Sequence, residues 1–91
     1  MASGELDRLA PPPFWRTRYF ALVVMTKPGR RQIDLLDIRT ALEQPVRKER
    51  QSDGRERYWT WISSQTTCLR VVTLADGDTV HNAFYDRDFE P

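Results

Sequence analysis

The sequence predicts an α+β fold: one main helix, at about 34–43, packed on a four-stranded antiparallel meander at about 46–51, 55–62, 68–74 and 78–85. An additional strand or short helix is expected at about 19–25. Three observations predict this. Leu35, Ile38, Ala41 and Leu42 repeat at helical spacing behind Asp34. The second half is rich in β-branched and aromatic residues. That half is also cut by Asp53-Gly54 and Asp76-Gly77, dipeptides favoured in tight hairpin turns.

Each element follows from its residues. Ala10-Pro11-Pro12-Pro13 supplies three consecutive residues without amide donors, so 1–13 is expected to be a disordered Pro-rich tail and 14–91 a single domain. Tyr19 to Met25 is a short apolar run, long enough for a strand or a buried helical turn, and Lys27-Pro28-Gly29 ends it. Asp34 can cap the helix, and Asp37 in the first turn suits the positive end of the helix dipole. Pro45 stops it, because the residue before a proline is pushed out of helical geometry.

Composition narrows the function classes. With 91 residues there is room for one core, and 40% hydrophobic with 30% charged residues suits a globular domain. A single Cys excludes an internal disulfide, and with one His it leaves no zinc cluster, so neither metal nor cofactor is expected. No apolar run approaches the length of a membrane span, and the first residues lack the pattern of a signal peptide, so a cytoplasmic protein with no membrane partner is expected. Net charge is only +1, but it is uneven. Lys27 to Arg57 holds nine basic and six acidic residues, whereas Asp76 to Pro91 holds five acidic residues and one Arg. The basic middle points weakly to an anionic ligand.

Tight turns fix register, and register fixes faces. Two-residue turns would pair Arg50 with Arg57 and Lys48 with Trp59 in the first hairpin, and Val72 with His81 and Arg70 with Ala83 in the last. A middle turn centred on Ser64-Gln65 pairs Arg57 with Val72 and Trp59 with Arg70. Tyr58, Ile62, Leu69, Val71, Val80 and Phe84 then form the core face. Lys48, Arg50, Arg57, Trp59, Arg70, Val72 and His81 are left on the other. Cations there attract phosphates, a Trp ring can stack on a base, and His exchanges protons near neutral pH. On this reading His81, Arg70 and Arg57 are candidate catalytic residues, and Lys48, Arg50, Trp59 and Arg87 are candidate RNA-binding residues. Cations close to His81 would lower its pKa and leave a neutral base. Each has a plainer alternative: a solvated sheet face, packing tryptophans, or an ion pair from Arg70 to Asp78 or Asp86.

Thr26-Lys-Pro28, Asp53-Gly-Arg-Glu-Arg-Tyr-Trp59, Leu69-Arg-Val-Val-Thr-Leu74, Asp78-Thr-Val-His-Asn-Ala-Phe84 and Asp86-Arg-Asp-Phe89 resemble a family of short bacterial proteins carrying these motifs. The likeness covers about 17–90 and departs at Glu56, where an apolar residue is expected. More distantly, helix followed by antiparallel sheet resembles the barnase/EndoU/colicin/RelE-type ribonuclease toxins. That resemblance implies an endoribonuclease toxin cleaving RNA by His-assisted acid–base chemistry without a metal, with an antitoxin protein as partner. The alternatives are a non-catalytic nucleic-acid-binding module and a protein-interaction domain.

Overall fold

The computed structural model describes residues 8–9, 14–30 and 32–90. The expected tail at 1–13 lies outside them, except that Arg8–Leu9 form a short strand, β1. The apolar run near residue 20 is helical. Thr17 closes strand β2 (Arg16–Thr17) and caps helix α1 (Arg18–Leu22), its Oγ1 accepting from the Phe20 amide at 3.1 Å. Phe20 is buried, and so is Val24 in the 3-10 turn that follows (Val24–Thr26), while Tyr19, Leu22 and Val23 stay exposed. A strand would have turned Leu22 to the same side as Phe20 and Val24, and its exposure marks the helical turn.

Helix α2 (Leu35–Glu43) matches its sequence signals. Asp34 Oδ1 accepts from the Leu36 amide at 2.8 Å, and Gln44, at φ −140° and ψ 59°, leaves the helix just before Pro45. Ile38 and Ala41 are buried, with Leu35 and Leu42 packed beside them.

The four expected strands are present as β3 (Arg47–Arg50), β4 (Glu56–Ile62), β5 (Thr67–Thr73) and β6 (Val80–Asp86). They belong to a larger, mixed sheet and not to a free antiparallel meander. Its order is β1-β2-β6-β5-β4-β3, and β2 joins β6 in parallel where the Val80 amide donates to the Trp15 carbonyl at 2.8 Å. Both helices pack on one face, where Phe20, Val24, Ile38 and Ala41 meet Tyr58, Leu69, Val71, Val80 and Ala83. The described residues thus share one core.

Register decides which side chains meet, and it departs from expectation twice. The middle connection gives Arg57↔Val72 and Trp59↔Arg70, as expected. The first hairpin is slipped by one residue: Arg50 faces Glu56, Glu49 faces Arg57, Lys48 faces Tyr58 and Arg47 faces Trp59. Its loop holds three residues, Ser52 to Gly54, with the Gln51 amide donating to the Arg55 carbonyl at 2.7 Å. Gly54, at φ +91°, takes the left-handed position that such a loop requires and that glycine adopts without strain. In the last hairpin, Leu74 and Thr79 are bonded across the turn (2.9 Å) and Thr73 opposes Val80, but Val72 then opposes Asn82. His81 is the extra residue of a β-bulge. The bulge lets Val80 and Ala83, three apart, both enter the core, and it turns Phe84 out to the opposite face beside Arg70.

Candidate nucleic-acid interface

A one-residue slip exchanges the two faces of a strand, so the basic face is built from different residues than the sequence suggested. Three direct cross-strand pairings line up in one row: Arg47↔Trp59, Trp59↔Arg70 and Arg70↔Phe84. Guanidinium and aromatic ring alternate across four strands. The Arg70 guanidinium carbon lies 5.5 Å from the Trp59 centroid and 5.1 Å from that of Phe84. Beyond Phe84, Arg30 reaches over the same ring at 5.5 Å and donates from Nη1 to Asn82 Oδ1 at 3.3 Å. At the other end Phe89 stacks on Trp59, with centroids 4.6 Å apart and planes 12° apart, and Arg47 lies 5.7 Å from the Phe89 centroid. Cations over ring faces are attracted by the ring quadrupole, most strongly where water is excluded.

Asp86 ties the row together. Its Oδ2 accepts from Trp59 Nε1 at 3.0 Å and lies 3.7 Å from Arg70 Nη1. The carboxylate partner that Arg70 needs is therefore Asp86. Arg70 is still only partly satisfied, since its buried Nε has no hydrogen-bond partner. Burial, and after it the charge of Arg57, pull the Arg70 pKa below its ordinary value. Arg57 opposes Glu49, and Gln51 accepts from Arg57 Nε at 2.8 Å when its amide is assigned with the oxygen toward that donor. The face carries Arg30, Arg47, Arg57 and Arg70 against Glu49 and Asp86, an excess of positive charge.

The structure brings Arg57, Trp59 and Arg70 together and separates the other candidates. Lys48 and Arg50 are on the opposite face and converge on Glu56, at 3.5 and 3.0 Å. Glu56 is buried there, accepts from the Tyr58 hydroxyl at 2.8 Å, and has its pKa lowered by that bond first and by Arg50 second. Repulsion between Arg50 and Arg57, which would have called for an anion between them, does not arise, because each opposes a carboxylate. Arg87 sits past the end of β6, close enough to Tyr85 for its charge to act on that phenol. Trp59 is only 3% exposed and its ring is already covered, so it is no open platform. Trp61, two residues along the same face, is 48% exposed and takes that place.

His81 is not a lateral neighbour of Arg70 and Arg57. Arg70 faces Phe84, about 10 Å along β6 from His81 at roughly 3.3 Å per residue. His81 instead meets Thr17, with Nδ1 3.0 Å from Oγ1, and stacks on Tyr19 with centroids 4.9 Å apart. Thr17 Oγ1 also accepts from the Phe20 amide, so one hydroxyl ties His81 to the first turn of α1. The His81 pKa is lowered, as expected, but by burial first and then by Arg55.

Sequence reasoning missed Arg47, Phe89 and Arg30. A three-residue loop ending in glycine was the readable alternative at Ser52-Asp53-Gly54, and it would have placed Arg47 opposite Trp59. Nothing local announces that Phe89, beyond the last strand, folds back on a tryptophan. Among the described residues no group of three His, Cys, Asp or Glu could hold a metal ion, and no helix is long and apolar enough to cross a membrane. Comparison with family models, curated proteins and solved structures gave no match.

Proposed function

We propose that this protein is an RNA-binding module that docks single-stranded RNA on its arginine–aromatic sheet face without cleaving it. The observation that carries this reading is the in-register row from Arg47 to Phe84, extended by Arg30, which lays guanidinium groups across a sheet face that neither helix covers. Phosphates are bound by such cations with release of counterions, and bases stack on exposed rings such as Trp61.

The geometry favours binding over the endoribonuclease toxin chemistry that the resemblance implies. A general base needs an unprotonated nitrogen facing the 2′-hydroxyl. In His81, Nδ1 is engaged by Thr17, Arg70 pairs with Phe84 three residues away, and Arg55 is the cation whose charge reaches the imidazole.

Affinity for a short single-stranded RNA, measured by anisotropy across a salt series, tests the proposal. With three reachable arginines, log K should fall with log salt at a slope of about −2, and Arg47→Gln or Arg57→Gln should each remove about 0.7 of it. Affinity that ignores salt would overturn the reading in favour of a protein-interaction domain. Cleavage of the RNA by the unsubstituted chain, lost in His81→Ala, would restore the toxin.

A further inference from the structure

We propose that Phe89 is the built-in occupant of a nucleobase-stacking slot between Trp59 and Arg47, and that single-stranded RNA displaces it. The inference deepens the RNA-binding reading and rests on it.

The slot has the composition a base requires. Its floor is the Trp59 ring, held from the side by Asp86 Oδ2 at 3.0 Å from Nε1, so the platform keeps its orientation whether or not Phe89 is present. Its roof is the Arg47 guanidinium, ion-paired with Glu49 on a side chain that is 54% exposed. Between them Phe89 lies nearly parallel to the indole, as a stacked base would. With Trp59 otherwise buried, a base gains this platform only by taking the place of Phe89.

The occupant is lightly held. Arg87, Asp88 and Glu90 around it are exposed, and the one backbone bond fixing the turn, from the Phe89 amide to the Asp86 carbonyl, is long at 3.4 Å. Asp88 and Glu90 flank the ring in sequence with carboxylates. The Phe89 ring presents to Trp59 and Arg47 the flat face that a base would present.

An occupant in equilibrium with the ligand lowers apparent affinity by the fraction of time the slot is open. The test titrates the full chain and its Phe89→Ala variant with a short single-stranded RNA and with a ribose-phosphate oligomer of equal length lacking bases. Phe89→Ala should tighten binding of the RNA about tenfold and leave the base-free oligomer unchanged. In the unsubstituted chain, the Phe89 ring proton resonances, displaced by the indole ring current, should move toward free values on adding RNA and stay in place with the base-free oligomer. This second readout needs no substitution and holds if Phe89→Ala folds poorly. Equal effects on both oligomers, weaker RNA binding by Phe89→Ala, or an unmoved Phe89 in the RNA complex would overturn the slot and leave the RNA-binding reading standing. Failure of both oligomers to bind at low salt would remove that reading and the slot with it.

Discussion

The two faces of this sheet are closed in different ways. On the helix side, Leu69, Val71, Val80 and Ala83 are fully buried under Phe20, Val24, Ile38 and Ala41, and burial of apolar surface supplies the stabilisation. On the other side neither α1 nor α2 packs. Trp59 and Val72 are buried all the same, because long side chains from neighbouring strands and Phe89 lie across them. The first face depends on volume and tolerates little change. The second depends on guanidinium groups over rings, interactions that are weaker singly and can be exchanged for a ligand. A protein with one rigid face and one exchangeable face can bind without risking its fold.

Removing volume from the closed face and a ring from the open one should have unequal costs. Leu69→Ala, in a site with no exposed surface, should cost about 2–5 kcal/mol, read as a lower urea midpoint. Phe84→Leu keeps apolar bulk on the open face but removes the ring under Arg30 and Arg70, and should cost only about 0.5–2 kcal/mol. If the two losses came out equal, the open face would be an energetic core in its own right, and exchange of its parts for RNA would be untenable.

Glu56 sharpens the comparison at the margin of the closed face. Its carboxylate gathers Tyr58, Arg50 and Lys48, so Glu56→Gln should cost about 1–3 kcal/mol at neutral pH, the usual scale for losing charged hydrogen bonds. Its folded pKa lies below the ordinary 4.5. Such a group contributes its full stability above that ordinary value and loses it as the pH falls through the folded pKa. The gap between the unsubstituted chain and Glu56→Gln should therefore be widest above about pH 4.5 and close in stronger acid. A gap that stays constant with pH would mean that the cluster acts through packing alone.

What the sequence made legible was local chemistry. Asp34 as a cap and Pro45 as a stop stand because each is decided by a residue's own backbone preferences, whereas the turn centred on Ser64-Gln65 stands because its register gathers one apolar face, even though it holds Thr66 at φ +53°. What it concealed was one-residue arithmetic at two places. At Ser52-Asp53-Gly54 a two-residue and a three-residue loop fit the same dipeptide, and the choice moved Lys48 and Arg50 to the opposite face. In β6, the alternation Val80, Asn82, Phe84 competed with the bulged set Val80, Ala83, Tyr85. The cost of placing Asn82 in the core favoured the bulge. Of the proposed site, Arg57, Trp59 and Arg70 were legible through the central hairpin. Arg47 was lost with the loop, and Phe89 and Arg30 come from segments whose position only tertiary packing decides.

The smallest expected effect belongs to His81, and its sign is fixed by where the bulge puts it. Held against Thr17 and Tyr19 and partly removed from water, the imidazole has a pKa below its ordinary 6.5, with Arg55 adding to the shift. The unfolded chain then binds the proton more readily than the folded one, so stability rises with pH across this window. The contribution is complete above about pH 6.5 and declines as the pH falls toward the folded pKa. His81→Asn removes the titrating group, so the thermal midpoint of the variant should be flatter than that of the unsubstituted chain between about pH 5 and 7. The two curves should differ least at the acid end of that window, where the unsubstituted chain has lost the most of this contribution. If His81 instead lay beside the carboxylates of the open face, its pKa would be raised, and the unsubstituted chain would gain stability as the solution is acidified. That opposite slope would place His81 in a different neighbourhood from the one described and reopen its claim to acid–base chemistry.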